Sequence, residues 1–188
     1  MSTIKKRQNA KQIIIDSAKR AFATKGFDGA SVDEIAKGAK VPKSLIYYHF
    51  KSKNDILKHL FKTMLDDYKA LVTSSVNGLN EGKQKSIYME YLDENKDLVR
   101  ILLIESLKES SEKPLVFNIV ETLMQFEDPD DVCSKRVVAE FFTNIIPAML
   151  FVCFKDSWSA HFDMDKEKLT DDFNEVHEIT HSAYHKTL

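Results

Sequence analysis

The sequence predicts an all-α protein, with an N-terminal three-helix helix-turn-helix domain followed by a helical C-terminal domain. Three observations lead to this prediction. Apolar residues recur at helical spacing along most of the chain, three short helices with clear start signals lie near the N-terminus, and basic and acidic residues separate into two parts. We place the first domain at residues 1–52 and the second at 53–188, joined by a helix from about residue 53.

The formal net charge of −2 conceals a strong charge asymmetry along the 188 residues. From Met1 to Lys62 there are 14 basic and 5 acidic residues, a net charge of +9. From Thr63 to Leu188 there are 13 basic and 24 acidic residues, a net charge of −11. A basic region attracts polyanions and an acidic region repels them. A polyanionic partner is therefore expected to meet only the N-terminal part.

Membrane insertion and secretion are not expected from the sequence. No apolar run follows the basic residues of the N-terminus, so it does not resemble a signal peptide. The stretch Phe141–Phe154 has 14 residues, whereas a membrane span needs about 20, and it predicts a buried core helix. Cys133 and Cys153 lie 20 residues apart, too far for a disulfide within one helix, and free thiols fit a cytoplasmic protein.

The first helix is predicted from about Asn9 to Thr24. Gly26 follows as the expected left-handed terminator, and Phe27 should fold back onto the apolar side of the helix. That side is a stripe of residues at helical spacing: Ile14, Ala18, Ala21 and Phe22.

The second helix has a capping-box start signal at Ser31-Val32-Asp33-Glu34, in which the Ser side chain accepts from the Glu amide and the Glu side chain reaches back. Val32, Ile35 and Ala36 should face inward. The helix is expected to end at Lys37 or Gly38.

The third helix is predicted to begin near Pro42, with Ile46 and Phe50 forming its buried face. Its other face then carries basic and polar aromatic side chains, which can bond to phosphates or base edges: Lys43, Tyr47, Tyr48 and His49. Two short helices joined by about three residues match helix-turn-helix geometry, in which the second helix enters the major groove.

Ser52-Lys53-Asn54-Asp55 then opens a fourth helix, whose first amides and Lys53 are candidates to hold another phosphate. Plainer interpretations remain open for single residues. Tyr47 is alternatively a core aromatic residue, and His49 an exposed residue without contacts. Lys43 and Lys53 are alternatively charges that only increase solubility.

The pattern across Lys11–Leu60 resembles the tetracycline-repressor-like (TetR) family of bacterial transcription regulators. The residues that carry the resemblance are Ala18…Phe22…Gly26-Phe27, then Ala30 to Ala36, then Val41 to Lys53. It implies a homodimer that inserts two recognition helices into successive major grooves of a palindromic operator in double-stranded DNA. The implied DNA-contacting positions are Ser31, Lys43, Leu45, Tyr47, Tyr48, His49 and Lys53.

Three positions depart from the family pattern. Lys40 stands where the family usually has Gly in the turn, so a left-handed conformation there would cost about 1 kcal/mol. Leu45 stands where a Ser or Thr often contacts phosphate, and it can instead touch a thymine methyl. Ser44 stands where the family often has Gly, so it is also predicted to reach DNA.

Beyond Leu60 only helical periodicity remains. The fourth helix should run from 53 to about 75, and further helices are predicted at about 84–95, 97–111, 114–127, 129–156 and 165–186. Pro147 should kink the helix that contains it. By the resemblance, the last two helices pack against their copies in a homodimer.

Large apolar residues of this region are predicted core or interface residues, and as a set they are a candidate pocket for a small hydrophobic effector. The pocket candidates are Tyr68, Tyr88, Tyr91, Phe117, Met124, Phe141, Phe142 and Met149. His177, His181 and His185 recur at helical spacing suited to metal binding, but no carboxylate completes an obvious site, so no metal or cofactor is predicted. No catalytic motif is present.

The function expected from the sequence is a DNA-binding transcriptional repressor that a small, largely apolar effector releases from its operator. One alternative is an activator or architectural DNA-binding factor controlled by a protein partner. A remote alternative is an enzyme that uses the C-terminal cavity.

Overall fold

The computed structural model describes residues 3–76, 81–108, 114–124 and 135–185. Within its helices, the side chains of residues 3–9, 71–76, 81–86, 122–124, 136 and 184–185 lie outside the description. The described residues form helices and no strands, which confirms the predicted all-α class. The chain divides into two compact units, Met1–Asp67 and Tyr68–Leu188.

The first unit contains three helices and the start of a fourth: α1 Thr3–Gly29, α2 Val32–Ala39, α3 Lys43–His49 and α4 Lys53–Val76. The described part of the second unit contains the end of α4 and the helices α5 Glu81–Glu94, α6 Lys96–Ser106, α7 Phe117–Met124, α8 Lys135–Ala139, α9 Ile146–Phe162 and α10 Lys166–His185. A π-helical turn, Glu140–Ile145, joins α8 to α9. The predicted domain boundary at residue 52 falls just before α4, whereas the first compact unit continues to Asp67.

The first unit is built on the apolar stripe of α1. Most predicted inward positions of α1, α2 and α3 are nearly inaccessible to solvent: Ile14 0%, Ala18 0%, Phe22 0%, Ile35 0%, Ile46 1% and Phe50 3% exposed. Ala21 and Val32, also predicted to face inward, are only half-buried. Gly26 has φ 71° and ψ 170°, which ends the regular part of α1 as predicted. The Phe27 ring then lies 5.4 Å from the Phe22 ring, and this confirms that it folds back onto the stripe.

Helices α1 and α2 approach closely where a serine meets a glycine. The Ser17 hydroxyl is buried and donates to the Ile35 carbonyl at 2.9 Å. A Cβ at Gly38 would lie 2.4 Å from Ser17 Oγ, a distance that side chains do not tolerate. Gly38 is therefore needed for the packing of α2 onto α1. The sequence predicted Gly38 only as a possible end of α2 and did not indicate this contact.

The substitution Gly38→Ala should lower the free energy of unfolding by about 1–2 kcal/mol in urea denaturation, because the steric conflict outweighs the helix propensity gained. Gly29→Ala is the matched control, since its Cβ would meet only Lys25 Cβ at 3.5 Å. The double variant Ser17→Ala/Gly38→Ala should recover part of the loss. A Gly38→Ala protein as stable as the Gly29→Ala protein would contradict the proposed close contact.

The turn between α2 and α3 contains the expected left-handed residue. Lys40 has φ 55° and ψ 41°, and its amide donates to the carbonyls of Ala36 and Lys37. This conformation closes α2 and directs the chain into α3. A lysine in place of glycine at this position therefore changes the conformational free energy of the turn but not its backbone geometry.

Helix α9 is the centre of the second unit, where it packs against α5, α6, α10 and the π-helical turn. Ala148, Met149 and Val152 on α9 are buried. Asp156 accepts from Lys166 Nζ at 2.6 Å and from Lys96 Nζ at 2.7 Å, which ties α9 to both α10 and α6. These two ammonium groups hold the pKa of the Asp156 carboxyl well below its usual range.

Several predicted helix limits are wrong. The helix predicted to end at 156 continues to Phe162, because the first residue that leaves helical geometry is Asp163, with φ 50°. The helix predicted to reach 111 ends at Ser106. Beside Pro147, the structure has the π-helical turn, in which the Ile146 amide donates to the Phe141 carbonyl, five residues back instead of four. The predicted breaks at 110–111 and 128–129 lie outside the described residues.

Candidate nucleic-acid interface

Helix α3 has one face of exposed aromatic and hydroxyl side chains, and its opposite face is buried. Ile46 and Phe50 anchor the helix in the core of the first unit. Tyr47 is 52% exposed and Tyr48 is 62% exposed, which is high for side chains of this size. The remaining predicted contact residues on this helix are exposed (Lys43, Ser44) or half-buried (Leu45, His49).

Ser31 combines a structural role with an available donor. Its hydroxyl oxygen accepts from the Glu34 amide at 3.2 Å, and the Glu34 carboxylate accepts from the Ser31 amide at 3.0 Å, which confirms the capping box. Since the oxygen acts as acceptor in this cap, the hydroxyl hydrogen can still donate to a phosphate. An ion pair with Lys25, followed by the Ser31 amide, lowers the pKa of Glu34 and keeps this cap ionised.

Lys43 lies at the start of α3 and forms an ion pair with Asp33 of α2. The Lys43 Nζ and Asp33 Oδ2 atoms are 2.9 Å apart, and both side chains are largely exposed. The hydrogen bond to Asp33 raises the pKa of Lys43, so the ammonium stays charged at neutral pH. A phosphate would have to share this ammonium with Asp33 or displace the carboxylate.

His49 is placed differently from the tyrosines beside it. Its Nε2 atom is covered from solvent and has no hydrogen-bond partner among the described residues. The ring meets the Tyr48 ring edge-on, with centroids 5.0 Å apart. A DNA contact by His49 would therefore need its other ring nitrogen or a rotation of the ring.

Lys53 is engaged inside the first unit. Its Nζ donates to the carbonyls of Phe27 at 2.6 Å, Ala30 at 2.8 Å and Asp28 at 3.3 Å. The same ammonium lies 4.5 Å from the centre of the Phe27 ring, a cation–π contact. Lys53 thus fastens the α1–α2 turn to the start of α4, a contact that sequence periodicity could not reveal.

The substitution Lys53→Met, which keeps the side-chain length and removes the ammonium, should lower the free energy of unfolding by about 1–3 kcal/mol, since three carbonyls lose a charged donor. Lys58→Met, on the exposed side of α4, is the matched control and should change little. Urea denaturation measures both. Unchanged stability together with weaker DNA binding would instead assign Lys53 to a phosphate contact.

Six of the residues predicted to line an effector pocket form two aromatic groups in the second unit. Tyr68 of α4 lies 5.3 Å from Tyr88 and 6.5 Å from Tyr91 of α5, measured between ring centres. Burial raises the pKa of Tyr68 to about 12 and also raises the pKa of Tyr88. These phenols therefore stay protonated at neutral pH.

The second aromatic group joins α7 to the π-helical turn. The Phe117 and Phe141 rings are 5.9 Å apart, and Phe142 lies edge-on to Phe141 at 4.9 Å. Phe142 is 64% exposed and Met149 is fully buried, so these two candidates differ greatly in accessibility. The side chain of Met124 lies outside the described residues.

A partly enclosed cavity of about 600 Å³ lies between α5, α9 and α10. None of the seven predicted pocket residues with described side chains lines it, so the apolar pocket at the predicted residues stays a prediction. The lining residues are Met89, Glu90, Asp93, Phe151, Val152, Lys155, Thr170, Asn174, Glu175 and Glu178. Sequence periodicity did not indicate this site, because its carboxylates lie on two helices more than 80 residues apart in the chain.

Two histidines of α10, His177 and His181, lie against the π-helical turn. Buried His177 lies with its Nε2 3.1 Å from the Asn144 carbonyl oxygen. His181 Nδ1 lies 3.2 Å from Thr143 Oγ1, and its Nε2 is 3.7 Å from Glu140 Oε1. The side chain of His185 is outside the description, and no group of three or more metal-ligating side chains occurs among the described residues. The two described rings thus bind protein groups of the neighbouring segment.

Comparison with known proteins identifies the first unit. The sequence profile of the family described as "Bacterial regulatory proteins, tetR family" matches residues 14–60, which contain the capping box, the Lys40 turn and α3. Residues 14–60 therefore form a domain of the TetR-family type. The match agrees with the resemblance carried by the sequence motifs.

Curated relatives match less than half of the chain. The Transposon Tn10 TetC protein of Escherichia coli is 36% identical over 97 residues, 48% of each chain. The biofilm operon icaADBC negative transcriptional regulator IcaR of Staphylococcus aureus (strain Newman) is 37% identical over 70 residues, 37% of this chain and 38% of its own length. The chain thus spans about half or less of the length of these relatives.

Solved structures share the fold over nearly the whole chain. The fatty acid degradation regulator FadR of Bacillus halodurans has a TM-score of 0.62 and 20% identity, with 90% of this chain and 97% of that chain covered. FadR of Bacillus subtilis, solved with stearoyl-CoA, has a TM-score of 0.61 and 20% identity, with 91% and 97% covered. At this identity the likeness shows the fold alone.

Proposed function

We propose that this TetR-family protein is a transcriptional repressor that binds operator DNA as a homodimer and is released by a small molecule. The observation that carries the proposal is the exposed face of α3. Two large tyrosine side chains lie largely in solvent on a helix whose opposite side is buried, in a part of the chain with a net charge of +9. Such a face can hydrogen-bond to base edges and phosphates in a major groove.

Within this face we assign different roles to different residues. Tyr47, Tyr48, Ser44 and Leu45 are the candidates for base contacts, and Ser31 and Lys43 are the candidates for phosphate contacts. Lys53 holds the surrounding geometry in the free protein, because its ammonium donates to protein carbonyls, and the covered Nε2 atom of His49 is not accessible to DNA.

Operator binding tests the proposal directly. The purified full chain should bind DNA from the region upstream of its own gene at low salt, and log affinity should fall linearly with log salt concentration. Tyr48→Ala should reduce the preference for the operator over random DNA. Lys43→Ala should weaken both and flatten the salt slope by about one unit. Absence of DNA binding at low salt would contradict the proposed function.

The proposed dimer surface is an exposed apolar stripe on α9 and α10. On α9, large side chains recur every four residues and are strongly exposed: Leu150 42%, Phe154 59%, Trp158 49% and Phe162 55%. On α10, Val176 and Ile179 are each 60% exposed. The segment Val137–Phe162 is also long and apolar enough (mean hydropathy 2.0) to cross a membrane, and only 28% of its most apolar part is buried. A helix–helix interface accounts for the same apolar surface in a protein that binds DNA in the cytoplasm.

The double variant Phe154→Glu/Trp158→Glu should convert a dimer into a monomer in sedimentation velocity, because each carboxylate would be buried against a copy of itself. Leu107→Glu is the matched control, since Leu107 is 84% exposed at the end of α6 and is not one of the stripe residues. Loss of the dimer in the control as well, or its persistence in the double variant, would refute the assigned surface.

We infer that the effector acts through α5 and α4. The cavity is lined by Met89, Glu90 and Asp93 of α5. Two other residues of the same helix, Tyr88 and Tyr91, contact Tyr68 of α4. A ligand that shifts α5 would therefore move α4, whose other end begins at Lys53. The effector then favours dimers whose recognition helices no longer match the spacing of about 34–36 Å between half-sites.

A further inference from the structure

The cavity between α5, α9 and α10 has the size of a small-molecule site and a strongly acidic lining. Its volume of about 600 Å³ falls within the range of about 300–1,000 Å³ that such sites occupy. Among the residues whose side chains are described, Glu90 and Asp93 of α5 and two glutamates of α10 line it, with Lys155 of α9 as the single basic lining residue. Four carboxylates against one ammonium leave a formal charge of −3.

The lone lysine is already paired within the lining. Lys155 Nζ donates to Asp93 Oδ2 at 3.0 Å, and the Lys155 side chain is 18% exposed. The other Asp93 oxygen, Oδ1, is covered and has no hydrogen-bond partner among the described residues. An acceptor without a donor in an acidic cavity is a site that a positively charged group would stabilise.

The remaining lining combines apolar and aromatic side chains with the polar residues Thr170 and Asn174. Met89, Val152 and Phe151 contribute to it, and the Phe151 ring is stacked on Phe173 with centres 3.9 Å apart and planes at 8°. This stack holds the Phe151 ring in one orientation. Apolar walls beside carboxylates suit an organic cation with a hydrophobic body better than a hydrated metal ion.

We propose that the effector of this protein is a hydrophobic organic cation that binds in the α5–α9–α10 cavity. This inference rests on the proposed function, since it names the ligand class of the proposed repressor. It revises the expectation of a largely apolar effector by adding a positive charge. It also predicts discrimination against acyl-CoA ligands, whose phosphates the carboxylates would repel.

Two ions of the same shape and opposite charge test the proposal. Tetraphenylphosphonium is a cation and tetraphenylborate an anion, and both have the same four-phenyl body. Isothermal titration calorimetry on the purified full chain should detect binding of the phosphonium and not of the borate. Equal binding of the two ions, or no phosphonium binding up to about 1 mM, would overturn the proposal.

Charge-removing variants locate the site. Glu90→Gln and Glu175→Gln should each weaken phosphonium binding about threefold, and the double variant about tenfold, because each removes one attractive charge at constant size. Glu167→Gln, in the exposed first turn of α10 and outside the lining, is the matched control and should leave binding unchanged. Equal affinities in the double variant and the control would place the cation elsewhere and refute this site.

A DNA readout separates failure of this inference from failure of the proposed function. Calorimetric binding does not depend on DNA, so a protein that binds the phosphonium but never binds DNA would contradict only the repressor assignment. If the protein binds its operator, saturating phosphonium should lower operator occupancy, and the double variant should need about tenfold more of it. Operator occupancy that is unchanged at saturation would refute the cation as effector.

Discussion

The close packing of α2 on α1 is the constraint on which the candidate interface depends. The Ser17 hydroxyl reaches the Ile35 carbonyl only because Gly38 has no side chain in its path. This contact sets the position of α2, and the left-handed turn at Lys40 then sets the direction of α3. The exposure of Tyr47 and Tyr48 follows from that direction, since Ile46 is thereby turned into the core.

Much of the basic charge in the first unit has a second, structural use. Lys25 pairs with Glu34, Lys43 pairs with Asp33, and Lys53 binds the carbonyls at the end of α1. The net charge of +9 from Met1 to Lys62 would still attract DNA over long distances, because an ion pair within this part of the chain does not change the total. In the proposed interface, short-range recognition would then depend on hydroxyl and aromatic groups near these ion pairs.

The acidic second unit concentrates part of its charge at one cavity. Helices α5 and α10 supply its carboxylates, and α9 supplies most of its apolar wall and its lysine. The same α5 packs its tyrosines against α4. The candidate ligand cavity and α4, which begins in the first unit, thus both contact α5, and the proposed coupling requires at least such a common element.

Local chemistry in the sequence was sufficient for the all-α fold and for most of the first unit. The capping box at Ser31, the terminator at Gly26, the strained turn at Lys40 and the inward face of Ile46 and Phe50 are all short-range consequences of residue type and spacing. The charge asymmetry and the motif also sufficed to locate the candidate DNA-binding face. These features could be predicted because each involves residues within about one or two helical turns of each other.

Only the tertiary structure decided which side chains meet across distant segments. Ser17 with Gly38, Lys53 with the end of α1, and the carboxylates of α5 and α10 around one cavity are contacts between residues about 20 to more than 80 positions apart. Sequence periodicity assigns a residue to a helix face and leaves open which face of another helix it will meet. The sequence by itself therefore determined an all-helical chain with a basic TetR-family DNA-binding domain, and the packing of its helices decided the acidic character of the cavity.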